Sequence, residues 1–564
     1  MHHRPITLLS LLLGAARSIT ARPTAHDERS SSSSSPIRLS ASVPDDAALP
    51  VLHPFVSFSI EFAFFPDFAG NLSHPNLFSN QLLHNLGELQ GAKPYIRVGG
   101  NTQYVSPTTS SIWSSPARKR GERRDFALYD PNLRAATNAT YIPSIATDYP
   151  LILSFGPAFF ESYFTWPGTK FIHGFNLGKN SSSDIELMLE SVPVACKALE
   201  GGKLAYWELG NEPDLYKTSA QGIRRPASWT EQDYVDEWLN KTARIEKRLA
   251  EACPELADSK YIAPSFAGVT NSLNPVVTWE KGLDKRRNIA LNSEHNYIGG
   301  ATQPGVTLQN TLMNHTKTVE SVAQQVNVSL ILSEDNLTPG IPYILGETNS
   351  LYNEGAPGLS NSFGAALWGV DFNLYCASQN IRRSHMHQGS NYRYISWQPV
   401  GTNRTTIGTK APYYGNAMVA AMLHGGDDVR IVNLPLAADT EAAYAAYVNE
   451  TLVRVAVINL VEFNYTSAGS IAEKVESRPS AKYTFQLPSS GSVYSGSVSV
   501  QRLMANGSNA ITGITWDGWS YNYELAQGKP VRLQNVTTGE AISVGHDGVV
   551  EIEIPYSSAA ILHL

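Results

Sequence analysis

The sequence predicts an α/β fold, a (β/α)8 TIM barrel, followed by a C-terminal antiparallel β-sandwich domain. Three observations predict it. Across residues 53–425, short apolar runs alternate about eight times with longer segments at helical spacing. Several of those runs stop on Gly, Asn or Glu, as parallel strands do where they open into loops. From about Asp427 no long helical pattern returns, and short alternating strands are separated by Gly, Ser and Asn turns.

The opening MHHRPITLLSLLLGAARSITA combines a basic start, an apolar run from Ile6 to Ala16 and small residues before Arg22. That is the pattern of a cleaved secretory signal over residues 1–21, too short for a membrane anchor. No later run reaches membrane-spanning length, so a secreted, extracellular protein is expected, with no membrane partner. Twelve N-x-S/T sequons agree, among them Asn71, Asn138, Asn240, Asn314, Asn403 and Asn535. Residues 22–36 hold six consecutive serines and can bury nothing, so they are expected to be disordered. Residues 37–52 begin with the strand-like IRLSASVP, which is expected to cross over to the sandwich.

The barrel then reads in order. FVSFSIEFAFF (55–65) is a buried strand, and 76–91 has helical spacing of Leu and Phe. KPYIRVGG (93–100) is a second strand, followed by a long polar insertion. FIHGFNL (171–177) precedes a helix over 184–200. AYWELG (205–210) precedes a Trp- and charge-rich helix over 231–253, and YIAPSFAG (261–268) is the fifth strand. ALNSEHNYI (290–298), a helix over 309–333, IPYILGETN (341–349) and a helix over 360–379 come next. IRRSHMHQG (381–389) supplies the eighth strand, and a helical segment surrounds 414–423. In 427–564, LVRVAVINL, KYTFQL, ISVGHDGVVEIEI and AAILHL read as sandwich strands.

A net charge of −7 over 564 residues is mild and argues against a nucleic-acid partner. Ten Trp and 26 Tyr supply flat aromatic faces that suit sugar rings and ordinary cores alike. Three cysteines do not make a disulfide-built fold. Cys196 and Cys253, each near a helix end, could pair and leave Cys376 a free thiol; the plainer alternative is three buried thiols. No spacing suggests a metal site, and no cofactor is implied.

Chemistry in a barrel sits at the C-terminal ends of its strands. Two carboxylates stand there: Glu212 in WELGNEPD beyond strand four, and Glu347 in YILGETN beyond strand seven. That strand order lets them face each other across the mouth. Hydrolysis of a glycosidic bond with retention needs such a pair, roughly 5–5.5 Å apart. One carboxylic acid protonates the leaving oxygen while the other carboxylate attacks the anomeric carbon. Asn211 could donate a hydrogen bond to a sugar hydroxyl beside that carbon. The plainer reading makes each Glu a helix cap or salt-bridge partner, but two such residues at these positions outweigh it. Glu208 precedes the mouth and is expected to support the core by pairing.

WELGNEP and ILGETNS resemble the retaining glycoside hydrolases of clan A, and more specifically glycoside hydrolase family 79, the β-glucuronidases and heparanase-like enzymes. FVSFSIEF, YIRVGGNT, FIHGFNL, SEHNY and HQGSNYRYISWQP, in this order, extend the likeness over roughly 53–425. The resemblance implies Glu212 as general acid/base and Glu347 as nucleophile, with His295 and Tyr297 beside the nucleophile. Packing of those two in the mouth without a catalytic part is the equal alternative. In this family the substrate carboxylate is held by Tyr hydroxyls and a backbone N–H. The candidates here are Tyr352, Tyr394 and the N–H of Gly355, with Glu354 as the other possible donor. Two or three hydrogen bonds to a charged acceptor, roughly 1.5–3 kcal/mol each, select an acid over a neutral hexose. Neither Arg97, inside strand two, nor Arg393 is required for that task. Glu61 is a candidate for binding a sugar hydroxyl; the heparanase branch carries the shorter Asp there.

The activity implied is that of a retaining exo-β-glucuronidase releasing terminal glucuronic acid, or its 4-O-methyl form, from glycans such as arabinogalactan. The rivals are a heparanase-like endo-enzyme, a neutral-sugar glycosidase of the same clan, and a non-catalytic carbohydrate-binding protein. The basic runs ARKRGERRD (117–125) and DKRR (284–287) read first as solvated loops, with contact to an acidic glycan as the alternative; Lys119–Arg120 is also a possible processing site.

Overall fold

A computed structural model describes residues 35–103, 125–143, 146–218, 223–464, 477–488 and 496–564. The signal, nearly all of the serine tail and nearly all of the 117–125 basic run lie outside the described residues. No helix among the described residues is long and apolar enough to cross a membrane.

Eight parallel strands close a barrel in chain order: β1 (Val56–Glu61), β2 (Ile96–Gly99), β3 (Phe171–Phe175), β4 (Leu204–Leu209), β5 (Tyr261–Phe266), β6 (Ile289–Gly300), β7 (Tyr343–Tyr352) and β8 (Ile381–Gln388). β8 closes on β1 through pairs running from Ser384–Val56 to Gln388–Ile60. Every residue of β1, β2, β3 and β5 is buried, because helices cover the outside while side chains fill the inside. Such strands read as continuous apolar runs instead of alternating ones.

The outer helices are α1 (Leu77–Gln90), α2 (Ser182–Leu199), α3 (Glu231–Ala252), α4 (Pro275–Glu280), α5 (His315–Glu334), α6 (Phe363–Ser378) and α7 (Ala411–Met422). Side-chain caps start most of them; at α3, Thr230 and Asp233 form a reciprocal capping box. Among the described residues no such helix stands between β2 and β3. The chain there builds a three-stranded sheet (Asp125–Tyr129, Thr137–Thr140, Ile152–Phe155) and a 3-10 segment, Pro157–Phe164, whose Phe159, Phe160 and Tyr163 are buried. Cys196 at the end of α2 and Cys253 just past α3 form a disulfide across 6.3 Å between Cα atoms, and Cys376 is a buried free thiol in α6.

The C-terminal domain centres on β9 (Val429–Asn433), β10 (Glu441–Val448), β11 (Thr451–Asn459), β12 (Ser480–Gln486), β13 (Ser497–Met504), β14 (Val549–Pro555) and β15 (Ser558–His563). One sheet runs β9-β10-β11-β15-β13 and continues into short strands; the other is β12 and β14 with Ile37–Arg38 paired parallel to β12. The period of two divides the large sheet between two cores. Ala445, Tyr447, Val455 and Val457 face the small sheet. Tyr444, Ala446, Ala456 and Ile458 join the barrel's core instead. Trapped between the two, α6 is buried from Phe363 to Ala377. Its Asp371 accepts hydrogen bonds from the Tyr444 hydroxyl at 2.6 Å and from His315 Nδ1 at 2.9 Å, tying barrel to sandwich.

Candidate active site

The site is assembled on Arg97, which points from the interior of β2 into the barrel and is wholly buried. Each nitrogen of its guanidinium donates to a side chain. Nε donates to Glu208 at 2.8 Å, Nη1 to Glu347 Oε2 at 2.7 Å and to Ser59 Oγ at 2.9 Å, and Nη2 to Asn211 Oδ1 at 2.6 Å. Burial works against its charge, but Glu208 and Glu347 more than offset that, so Arg97 remains a cation. Glu208 thus pairs in the core, and Ser265 Oγ donates to its other oxygen at 2.6 Å.

Beyond β4 the chain turns sharply. Glu212 sits in the left-handed region, at φ 49° and ψ 45°, and its N–H donates to the Ser265 carbonyl at 2.7 Å. A non-glycine residue held there costs on the order of 1 kcal/mol or more and marks a site the surroundings over-determine. The turn aims the Glu212 carboxylate, only 6% exposed, into the mouth.

Glu347 lies on β7 just after Gly346, where an added Cβ would fall 2.1 Å from Ser293 Oγ, so only glycine lets β6 and β7 approach here. The Tyr297 hydroxyl donates to Glu347 Oε1 at 2.8 Å. The register of β6 against β7 shifts between Glu294 and His295, a bulge that turns His295 toward the acid/base position. His295 Nδ1 accordingly lies 3.1 Å from Glu212 Oε1. Of the two residues expected beside Glu347, Tyr297 touches it, whereas His295 bonds Glu212. One carboxylate oxygen of Glu212, one of Glu347 and a ring nitrogen of His295 all lie within 4.8 Å of one another.

The charges separate the two carboxyls' surroundings. Burial alone would raise the pKa of Glu347, but His387, His295 and Arg97 outweigh it and hold this carboxyl well below the usual range. Burial lowers His295 to about 4, so at neutral pH its imidazole is uncharged and Arg97 is the permanent cation facing Glu347. His387 Nδ1 lies 3.6 Å from Glu347 Oε2; burial lowers its pKa, but Glu347 and Glu61 more than compensate and raise it. Burial, reinforced by Glu347, pushes the Tyr297 and Tyr394 hydroxyls well above their ordinary value, so both stay protonated donors.

The remaining candidates line the rim. Glu61 Oε1 accepts from Thr102 N at 2.7 Å and Thr102 Oγ1 at 2.6 Å, while Oε2 is 3.4 Å from both His387 Nε2 and the Tyr392 hydroxyl. Asn211 Nδ2 donates to Asn101 at 3.2 Å. The Tyr394 ring lies 6.2 Å from Tyr297, and Gly355 backs it closely: a Cβ there would be 3.1 Å from the Tyr394 ring and 2.8 Å from Ser360. Gly355 ends a run of three left-handed residues with Asn353 and Glu354. Its N–H donates to the Leu351 carbonyl at 3.1 Å and is therefore engaged within its own turn. Tyr352 stands apart from the tyrosine pair, its ring against Gly300 and 47% exposed.

Arg97, His387 and Tyr392 were not chosen from the sequence. The available signal was the alternation in SHMHQG, which puts His385 and His387 on one strand face, and the single Arg in an otherwise apolar β2. Of the two groups among the described residues with metal-ligand geometry, one is the disulfide pair with Glu200 and the other is Glu212, His295 and Glu347. In the second, the Arg97 cation already occupies Glu347, which opposes a metal ion.

A model of the C-terminal β domain of glycosyl hydrolase family 79 matches residues 443–561. A β-glucuronidase of Aspergillus niger is 91% identical over 564 residues, covering all of both chains. A β-glucuronidase of Neurospora crassa is 49% identical over 548 residues, covering 91% of this chain and 94% of the relative. Among solved structures, a 4-O-α-L-rhamnosyl-β-D-glucuronidase from Fusarium oxysporum superposes with a TM-score of 0.71 at 22% identity, covering 94% of this chain and 100% of that one. At that identity the likeness speaks for the fold.

Proposed function

This chain belongs to glycoside hydrolase family 79, and from that premise we propose that it is a secreted, retaining exo-β-glucuronidase acting on glucuronic-acid-bearing glycans such as arabinogalactan. One observation carries the mechanism: the carboxylates of Glu212 and Glu347 approach within 4.8 Å. For their nearest oxygens that is closer to the roughly 5–5.5 Å of a retaining pair than to the roughly 6.5–9.5 Å of an inverting one.

Glu347, ionised under Arg97, attacks the anomeric carbon while Glu212 gives its proton to the glycosidic oxygen, and the aglycone leaves. The ester consumes the charge on Glu347. Glu212, now a carboxylate beside His295, takes a proton from water as that water attacks the same carbon from the vacated side. The ester bond breaks, Glu347 recovers its charge and the product keeps the β configuration. Tyr297 holds the nucleophile throughout. Tyr394, a protonated donor beside it, is assigned to the C5 carboxylate, with the left-handed turn at 353–355 supporting its ring and Tyr352 as the outer candidate. Asn211 and Glu61 are assigned to sugar hydroxyls. The sequons and the Cys196–Cys253 disulfide support export, since such bonds persist in oxidising compartments.

The test compares a chromogenic β-glucuronide with the matching β-glucoside and β-xyloside. The glucuronide should be strongly preferred, and Glu347→Gln should lower its turnover by about 10⁴-fold or more while the protein stays folded. Preference for a neutral sugar would overturn the specificity. Undiminished turnover in the variant would overturn the nucleophile.

A further inference from the structure

Between the loops that follow β7 and β8 and the edge of the sandwich lies a cavity of about 370 Å³, within the size range of pockets that hold small ligands. Neither Glu212 nor Glu347 lines it. It nevertheless belongs to the catalytic face, because those loops leave the C-terminal ends of the strands. Tyr392 links the cavity to the site: it lines the cavity, and its hydroxyl donates to Glu61 at 3.4 Å.

The lining is unusual in its balance of donors and acceptors. Asn361, Asn391 and Asn522 come from three different segments, and each has its carbonyl oxygen already engaged. Asn361 Oδ1 accepts from Gly358 N at 2.7 Å, Asn391 Oδ1 from Thr402 Oγ1 at 2.6 Å, and Asn522 Oδ1 from the Tyr414 hydroxyl at 2.9 Å. Those bonds set the amide orientations and leave three NH2 groups with no protein acceptor among the described residues. Among the described residues Lys410 Nζ reaches only the Thr406 carbonyl, at 3.5 Å, the outer limit of a hydrogen bond. Arg393 also lines the cavity, but its Nη1 is paired with Asp148 at 2.8 Å, so Lys410 is the cation that faces the space, across from Glu524. A wall of unspent amide donors beside an ammonium that makes no ion pair among the described residues fits a ligand of many acceptors that carries a carboxylate.

We propose that this seam cavity is a second saccharide subsite, one that takes a uronate-bearing sugar residue of the glycan whose terminal residue enters the catalytic pocket. The inference rests on the glycan-hydrolysing reading above. It adds that the sandwich takes part in substrate binding, through Asn522 and Glu524. Amide and ammonium donors would meet ring hydroxyls and the carboxylate, and Glu524 would oppose the charge and so limit affinity.

Two measurements test it. On an acidic arabinogalactan, the double variant Lys410→Ala/Asn522→Ala should raise KM about tenfold, with kcat and the kinetics on a small chromogenic β-glucuronide unchanged. Glu524→Gln should lower KM on the polymer and leave the small substrate alone. Unchanged KM on the polymer, or equal losses on both substrates, would overturn the subsite. The second measurement needs no turnover: tri-galacturonic acid, which carries no β-glucuronide, is titrated into the Glu347→Gln protein by calorimetry. Binding weakened about tenfold by Lys410→Ala supports the cavity. Absence of binding, or binding indifferent to Lys410, overturns it. Failure of the glucuronidase reading would show separately, as wild-type inactivity on the small glucuronide.

Discussion

Two buried clusters of charge lie in the barrel, and they are built in opposite ways. Around Arg97, one cation faces two carboxylates, and its hydrogen bonds all end on side chains: Glu208, Glu347, Ser59 and Asn211. Around Glu237, one carboxylate faces two cations: Arg225 Nη2 donates to it at 2.6 Å and Lys241 Nζ at 2.7 Å. The spare donors there end on backbone, on the carbonyls of Leu177, Gly178 and Lys179 just beyond β3. Bonds to backbone carbonyls fix the path of a loop and can do nothing else. Bonds to side chains that face a mouth fix the charge and direction of groups still able to react. Both clusters are costly to desolvate; only the first leaves a nucleophile ionised where a substrate can reach it. Burial lowers Lys241 to about 8 despite Glu237 beside it.

The contrast can be broken by experiment. Arg97→Met should have the largest effect, since it strands Glu208 and Glu347 without a countercharge: about 3–5 kcal/mol of stability and on the order of 10³-fold in kcat/KM. Arg97→Lys keeps the charge but loses the fork. It should move the acid limb of the kcat/KM profile to higher pH, because Glu347 then protonates more readily. An unmoved limb would place Arg97 with the structural cluster. Glu237→Gln should cost a similar 3–5 kcal/mol in denaturant unfolding, yet leave kcat/KM of the folded enzyme unchanged. Loss of activity at full stability would reverse the assignment.

The smallest effect sharpens the comparison at the seam, where His315 meets Asp371. Burial lowers the pKa of His315, but the hydrogen bond and charge of Asp371 more than offset this, leaving it above 6.5. A base whose folded pKa is raised contributes fully below its unfolded value, and the contribution fades as pH rises through the folded one. His315→Gln should therefore cost about 1 kcal/mol at pH 5.5 and less at pH 8.5. An equal loss at both would show that this tie is uncharged.

Much of the architecture was legible in the chain. Strand and helix periods located all eight barrel strands, and the strand ends in WELGNEPD and YILGETN pointed to Glu212 and Glu347, although β7 runs on to Tyr352 and so holds Glu347 within the strand. The three-stranded sheet and 3-10 segment between β2 and β3 were legible only as a polar insertion, because a 3-10 segment of buried aromatics has no distinct period. The double life of β10 and β11 was hidden too: two apolar faces look the same in sequence whichever cores they join.

What the sequence by itself determined was local: periods, turn residues, and carboxylates at strand ends, all set by backbone geometry within a few residues. What only the tertiary structure decided was pairing at a distance. Arg97 and Glu347 are 250 residues apart, and nothing in either neighbourhood encodes the other. The bulge at Glu294–His295 arises in pairing with β7, beside a second irregularity against β5, and it turns His295 toward Glu212. Charge and direction at a reactive site come from contacts across the closed barrel, which form only when the last strand meets the first.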